Sequence, residues 1–164
     1  MLRTACFSVA LMAAAWAARA DTVLRYNGPA LSTVSCNKPC HFTHISFTAV
    51  VPGNVAGAGT IAFCYGFSGC ATPASQVRFA DGESRTTAGN AGDFQFSGML
   101  TLDAARTITS GFVAGSVNNP AKHTLVYMDF GNPSGGDMLG GELHGANVDA
   151  SAPGIGAWTV RTSP

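Results

Sequence analysis

Short β-rich runs, separated by turn dipeptides at spacings of roughly ten residues, constrain this chain most. Glycine or proline marks each break, because glycine accepts a positive φ and proline fixes φ. Pro52-Gly53, Asp81-Gly82 and Asn119-Pro120 are examples. Few windows between them hold apolar residues at the helical period over three turns. The spacing predicts an all-β fold, an antiparallel β-sandwich of the jelly-roll or immunoglobulin-like kind.

The pattern predicts about nine short strands, at 22–27, 44–51, 60–67, 76–81, 93–103, 106–115, 123–130, 141–148 and 157–162. Apolar residues alternate along 44–51, as expected for a strand with one buried face. Gly98 interrupts the alternation of 93–103 and predicts a bulge or bend there. Segment 123–130 is apolar on both faces and predicts a central strand, whereas 136–143 is predicted as a short helix or turn.

The first twenty residues, MLRTACFSVALMAAAWAARA, have the pattern of a secretory signal peptide. A basic residue precedes an apolar run, and small residues at 18 and 20 predict cleavage between Ala20 and Asp21. The run is too short for a stable membrane anchor. We therefore expect a signal peptide at 1–20 and one β-sandwich domain at 21–164. The mature protein should be soluble, without a membrane span, and secreted or periplasmic.

Charge is sparse in the predicted mature chain. Loss of Arg3 and Arg19 with the signal peptide leaves seven basic residues against nine acidic ones, a net charge of −2. No basic stripe is present in the sequence, so we expect no nucleic-acid partner.

Four cysteines follow the predicted cleavage site: Cys36, Cys40, Cys64 and Cys70. An even number of cysteines in an exported chain predicts two disulfides. Three pairings are possible, and the two local loops, Cys36–Cys40 and Cys64–Cys70, are the simplest. Such short loops constrain the unfolded chain modestly, by at most ~2–3 kcal/mol each.

Several phrases resemble those of a group of uncharacterised secreted proteobacterial β-proteins. They are YNGPAL at 26–31, ISFTAVVPGNVAG at 45–57, VRFADGESRTT at 77–87, ARTITSGFVAG at 105–115 and APGIGAWTV at 152–160. Many members of the group carry a C-terminal sorting tail with a Pro-Glu-Pro motif. This sequence shows no such tail, and it carries four cysteines that the group's pattern does not require. The resemblance implies bacterial export and a β architecture, and it supplies no catalytic residues.

The segment SCNKPCHFTH at 35–44 raises two further chemical alternatives. Covalent haem attachment uses two cysteines followed by an axial histidine, and Cys36, Cys40 and His41 are a wider-spaced version of that motif. A zinc site would use the same cysteines with His41 and His44, but an oxidising compartment converts such thiols to a disulfide. The interpretation that we favour is a disulfide loop, with no metal and no cofactor.

Paired carboxylates are a possible hydrolytic machinery, and Asp129 and Glu142 are the pair to watch because each lies in or beside an apolar run. Trp158 is a candidate sugar-stacking platform, although the core residue of a final strand is the favoured interpretation. The sequence shows no nucleophile–base pair. We therefore favour a non-enzymatic binding, envelope or matrix protein whose partner is a glycan or an envelope protein. The alternatives are a small polysaccharide hydrolase and a haem carrier.

Overall fold

The computed structural model describes residues 20–40, 42–55, 57, 59–80, 85–87, 94–122, 124–132, 136–143, 145–154 and 156–163. Most of these residues are in β-strands. The first six strands are β1 (Thr22–Ala30), β2 (Thr33–Cys36), β3 (His44–Val51), β4 (Gly59–Tyr65), β5 (Gln76–Ala80) and β6 (Arg85–Thr87). The other six are β7 (Phe94–Leu102), β8 (Ile108–Asn119), β9 (Thr124–Asn132), β10 (Gly136–Leu143), β11 (Ala146–Ala152) and β12 (Ala157–Thr162). A short 3₁₀ helix, Pro120–Lys122, joins β8 to β9.

The strands form two antiparallel sheets that pack as a sandwich. One sheet has five strands in the order β12-β1-β3-β5-β6, and the other has seven in the order β2-β11-β10-β9-β8-β7-β4. Burial alternates residue by residue along β3 and β7, so each sheet turns one face inward and one outward. The all-β antiparallel sandwich that the sequence predicts is confirmed.

Aromatic rings join the two sheets at the centre of the core. Phe47 on β3 lies with its ring centroid 5.3 Å from that of Phe96 on β7 and 5.2 Å from that of Phe130 on β9. All three side chains are almost completely buried. Rings at such distances add favourable tilted contacts to the burial of their area. Each of these residues lies at an inward position of its strand, and their ring contacts therefore help to hold the two sheets together.

Segment 123–130 is confirmed as central, because β9 is the fourth of the seven strands. The helix or turn predicted at 136–143 is wrong, since this segment is strand β10 and pairs with β9 and β11 on its two sides. The strand predicted at 141–148 is likewise divided between the end of β10 and the start of β11. Ladder hydrogen bonds on both sides overcome the poor strand propensity of a glycine-rich segment.

The bulge predicted at Gly98 is also wrong. Gly98 pairs regularly with Phe63 on β4 and with Val113 on β8. A Cβ on Gly98 would lie 2.5 Å from the Phe63 ring and 2.8 Å from a Val113 methyl group. The glycine therefore makes room for core side chains instead of bending the strand.

Residues 1–19 of the predicted signal peptide lie outside the described residues, and nothing in the structure tests cleavage between Ala20 and Asp21, so both stay predictions. Within the described part of the chain, no helix has the length and apolarity needed to cross a membrane.

Candidate functional site

Both disulfides are confirmed with the local pairing. Cys36 is bonded to Cys40 and Cys64 to Cys70, with Cα–Cα distances of 6.4 and 6.0 Å. Each bridge lies at an edge of the seven-stranded sheet, because β2 and β4 are its two outermost strands. Disulfides persist in oxidising compartments, so the two bridges fit an extracytoplasmic protein.

The Cys36–Cys40 bridge argues against haem attachment and zinc binding at 35–44, because a disulfide leaves no thiol for either. His41 lies outside the described residues. His44 begins β3, and its Nδ1 is 3.0 Å from the Thr43 hydroxyl. Among the described residues, no three His, Cys, Asp or Glu side chains come together as a metal site.

Trp158 belongs to the edge of the core. It is half-buried on β12, with its ring centroid 4.8 Å from that of Tyr26 and 6.4 Å from that of Phe130. Its free side borders a cleft of about 260 Å³ beside Ile108 and Gly111 at the start of β8. The arrangement agrees with the favoured interpretation of Trp158 as a packing residue.

A buried polar cluster, which the sequence reasoning missed, lies next to Trp158. The Tyr26 hydroxyl donates to Asp137 Oδ1 at 2.6 Å and accepts from the Gly156 N–H at 2.8 Å. The Gly131 N–H donates to the same Asp137 oxygen at 3.1 Å. Asp137 is completely buried, and its Oδ2 has no hydrogen-bond partner. We call Tyr26, Asp137, Gly131 and Gly156 the core clasp, because they join β1 to β9, β10 and the chain just before β12.

Burial raises the pKa of the Asp137 carboxyl above its ordinary value, and the Tyr26 hydroxyl and the Gly131 N–H oppose the rise. Burial, and then the hydrogen bond to Asp137, raise the pKa of the Tyr26 hydroxyl in turn. The alternation of residues along 136–143 could have indicated the burial of Asp137. Had 136–143 been assigned as a strand, Asp137 would have shared the inward face of Leu139.

The carboxylates of the hydrolase alternative, Asp129 and Glu142, lie on the same outward face of the seven-stranded sheet. Asp129 on β9 is opposite Met138 on β10, whereas Glu142 is opposite Leu125. The two acids are therefore offset by four residues, which is ~13 Å along the strands. Glycosidase carboxylates lie ~5–10 Å apart, so this register does not favour the pair as a catalytic couple.

A groove of about 320 Å³ crosses this outward face above Gly140. Gly140 on β10 lies between Tyr127 on β9 and Asp149 on β11, and its missing side chain leaves the gap. Asp129 and Met138 border the next row. Tyr127 is 57% exposed and Met138 54% exposed. The groove thus has an aromatic and a thioether side chain in solvent between two carboxylates.

Asp129 is the most desolvated carboxylate of this groove. Its Oδ1 is buried without a hydrogen-bond partner, and burial raises its pKa above the ordinary value. Ala114 on β8 and Met138 on β10 are its cross-strand neighbours. A carboxylate in such surroundings gains more from a bound cation than one in open water, because its charge is less screened.

We call the outward surface of the seven-stranded sheet the acidic face. It carries Asp129, Glu142 and Asp149, and the seven strands contain no lysine or arginine. Large apolar side chains are exposed on it as well: Met99, Phe112, Leu125, Tyr127 and Met138. Lys38 reaches one edge, where its Nζ donates to the Gly145 carbonyl at 2.9 Å. Of the three acids of this face, Asp129 and Asp149 line the groove.

No protein-family model matches this chain, and no curated protein or solved structure matches it. The resemblance to secreted proteobacterial β-proteins stays a prediction.

Proposed function

We propose that this chain is a non-enzymatic extracytoplasmic protein, periplasmic or secreted, that binds a cationic protein surface on its acidic face. The observation that carries the proposal is the groove above Gly140, with exposed Tyr127 beside Asp129 and Asp149. The two disulfides and the predicted signal peptide support the location.

Arginine is the side chain that this groove suits best. Its guanidinium stacks on aromatic rings and pairs with carboxylates through two parallel hydrogen bonds. Tyr127 supplies an exposed ring, while Asp129 and Asp149 supply carboxylates on either side. Asp129 is half-buried and lines the groove, so a guanidinium there meets a carboxylate that is less screened than one in open water.

The exposed apolar residues favour a protein partner over a single small cation. Met99 and Phe112 are cross-strand neighbours on the acidic face, and Leu125 lies on β9 near the groove. Exposed apolar side chains grouped on one surface are typical of interaction sites. A partner protein covers them, whereas an isolated ion leaves them in water.

The test is a fluorescence anisotropy titration of the purified mature protein with a labelled six-residue peptide that alternates arginine and glycine. We expect saturable binding at low salt, and a loss of about two- to fivefold in affinity for Tyr127→Ala, since an exposed cation–π contact contributes ~0.5–1 kcal/mol. Asp149→Asn should weaken binding by a similar factor. Phe67→Ala is the matched control, because Phe67 is an exposed aromatic in the Cys64–Cys70 loop, off the acidic face.

A peptide of the same length with glutamate in place of arginine should not bind. Neutral oligosaccharides form a third arm, since a glycan is the other expected partner. Binding of an oligosaccharide that depends on Tyr127, together with no binding of the arginine peptide, would replace the cationic partner by a glycan. Equal binding by wild type and by Tyr127→Ala would remove the groove from the site.

A further inference from the structure

The charged residues of the strands are completely segregated between the two sheets. The strands of the five-stranded sheet contain Arg25, Arg78, Arg85 and Arg161, and no aspartate or glutamate. Those of the seven-stranded sheet contain Asp129, Asp137, Glu142 and Asp149, and no lysine or arginine. Asp137 is buried, so Asp129, Glu142 and Asp149 are the acids that give the outer surface of the seven-stranded sheet a sign opposite to that of the other sheet.

The strand register groups three of these arginines on one outward surface. Arg25 on β1 and Arg78 on β5 are both opposite Thr48 on the intervening strand β3. Arg161 on β12 is opposite Val23, one row away on the same surface. All three arginines are exposed. We call this surface of the five-stranded sheet the basic face.

We propose that the cationic partner of the acidic face is the basic face of a second copy of this chain. The inference rests on the proposed function, because it names the source of the arginines that the groove binds. Arg25 and Arg78 lie two strands apart, ~10 Å. Asp129 on β9 and Asp149 on β11 are likewise two strands apart. The two faces thus present arginines and carboxylates at similar spacings.

The contact joins unlike faces, so it does not close on itself as a two-fold dimer. Each copy keeps a free basic face on one side and a free acidic face on the other. An interface of this head-to-tail kind extends into an open stack unless its rotation closes a ring. Two acidic faces would instead repel each other, although their exposed Tyr127 and Met138 would favour contact. Charge therefore selects the head-to-tail arrangement.

The size of the faces predicts weak association. A face of five strands is ~20–25 Å wide, and a six-residue strand is ~20 Å long. The contact would bury on the order of 1,000 Å² in total, which is the low end for specific interfaces. We expect a dissociation constant of about 10–100 µM at low salt. Ordered stacks should therefore form where the protein is concentrated, as in an envelope or matrix layer.

The first measurement is sedimentation velocity of the mature protein from about 5 to 500 µM, at 20 mM and at 500 mM salt. The weight-average mass should rise with concentration at low salt. It should return towards that of the monomer at high salt, because the screening length falls to a few ångströms. A mass that stays monomeric at every concentration overturns the proposal. So does self-association that high salt strengthens, since a contact driven by apolar side chains alone behaves in that way.

Charge reversal then tests the head-to-tail geometry. Arg78→Glu damages the basic face, Asp149→Lys damages the acidic face, and each variant alone should stay monomeric. An equimolar mixture should associate again, because the first variant keeps its acidic face and the second keeps its basic face. If Arg78→Glu associates like wild type, the contact joins two acidic faces and the proposal is wrong. Circular dichroism spectra matching that of wild type ensure that each variant is folded.

The arginine-peptide titration separates this proposal from the one on which it rests. A chain that binds the peptide but stays monomeric has a cationic partner other than itself, which overturns the self-stacking and keeps the proposed function. A chain that neither binds the peptide nor associates overturns both. If the arginine peptide competes with the basic face of a second copy, both proposals are supported. The peptide should then shift the sedimentation of wild type towards that of the monomer.

Discussion

The hydroxyl group of Tyr26 connects three segments of the core clasp, and Tyr26→Phe removes it while leaving the ring. The ring itself packs at 5.3 Å from Phe130 and 4.8 Å from Trp158, measured between centroids. Phenylalanine keeps both contacts, so the substitution isolates the hydrogen bonds. Those are the donation to Asp137 at 2.6 Å and the acceptance from the Gly156 N–H at 2.8 Å.

The expected cost follows from those two bonds. A hydrogen bond to a charged group contributes ~1.5–3 kcal/mol, and a neutral one ~0.5–1.5 kcal/mol. The variant also leaves the Gly156 N–H without its acceptor. We therefore expect a loss of about 3 kcal/mol in the free energy of unfolding when Asp137 is ionised, and of about 2 kcal/mol when it is protonated.

The sign of the pH dependence can be worked out. The Tyr26 hydroxyl lowers the pKa of Asp137, against the larger effect of burial. Its removal raises that pKa further, so the folded variant holds the Asp137 proton to higher pH than the folded wild type does. The loss of stability in Tyr26→Phe must consequently grow as the pH rises through the titration of Asp137.

Urea unfolding at pH 4 and pH 8, followed by circular dichroism, measures both effects. Tyr127→Phe is the matched control, because it removes the same atom from an exposed tyrosine of the same sandwich. We expect that control to change stability by less than ~0.5 kcal/mol. A cost for Tyr26→Phe no larger than that of the control, or one that shrinks with rising pH, would refute the role given to the core clasp.

Three further outcomes are expected. Between pH 4 and the folded-state pKa of Asp137, the stability of wild type should fall with rising pH, because the folded chain holds a proton that the unfolded chain has lost. The urea midpoint measured against pH should show this fall in wild type, and Asp137→Asn should flatten it. Opening the Cys64–Cys70 loop by a double substitution to serine should cost ~2 kcal/mol of unfolding free energy, and a cost near zero would mean that the loop is unconstraining. Gly28→Ala should destabilise the fold by more than ~2 kcal/mol, because its Cβ would meet the Asp137 carboxylate and lie 2.9 Å from a backbone oxygen. Gly140→Ala should be nearly neutral, because the nearest atom to its Cβ is 3.8 Å away. Equal thermal midpoints for the two variants would contradict this packing.

The parts of the fold that the sequence predicts well are those with strong local signals. Alternation in 44–51 and 123–130 predicts β3 and the central strand β9, because burial of one sheet face imposes a period of two. The short spacing of the cysteines predicts their pairing in the same way. Each of these signals depends on neighbours in the chain, so no knowledge of the sheet order is needed.

The candidate site depends on the order of the strands, and the sequence does not reveal that order. Asp129 and Asp149 become neighbours of one groove because β10 lies between β9 and β11. The separation of arginines from carboxylates is visible once each strand is assigned to its sheet. Along the chain the acids from Asp129 to Asp149 lie between Arg78 and Arg161, and only the strand order places these two arginines in one sheet.

Strand β10 contributes to both the core clasp and the groove, and its sequence is the hardest of the strands to recognise as a strand. Its sequence GDMLGGEL must send Asp137 into the core and Met138 to the acidic face, and it must leave the groove open at Gly140. Gly141 has a φ of 131°, and a Cβ there would collide with a backbone oxygen of β9. Each requirement lowers the strand propensity of the segment, which is tolerated because β9 and β11 pair with it on both sides. A segment that breaks local rules for such reasons is where a binding surface is expected, since function is what usually maintains the conflict.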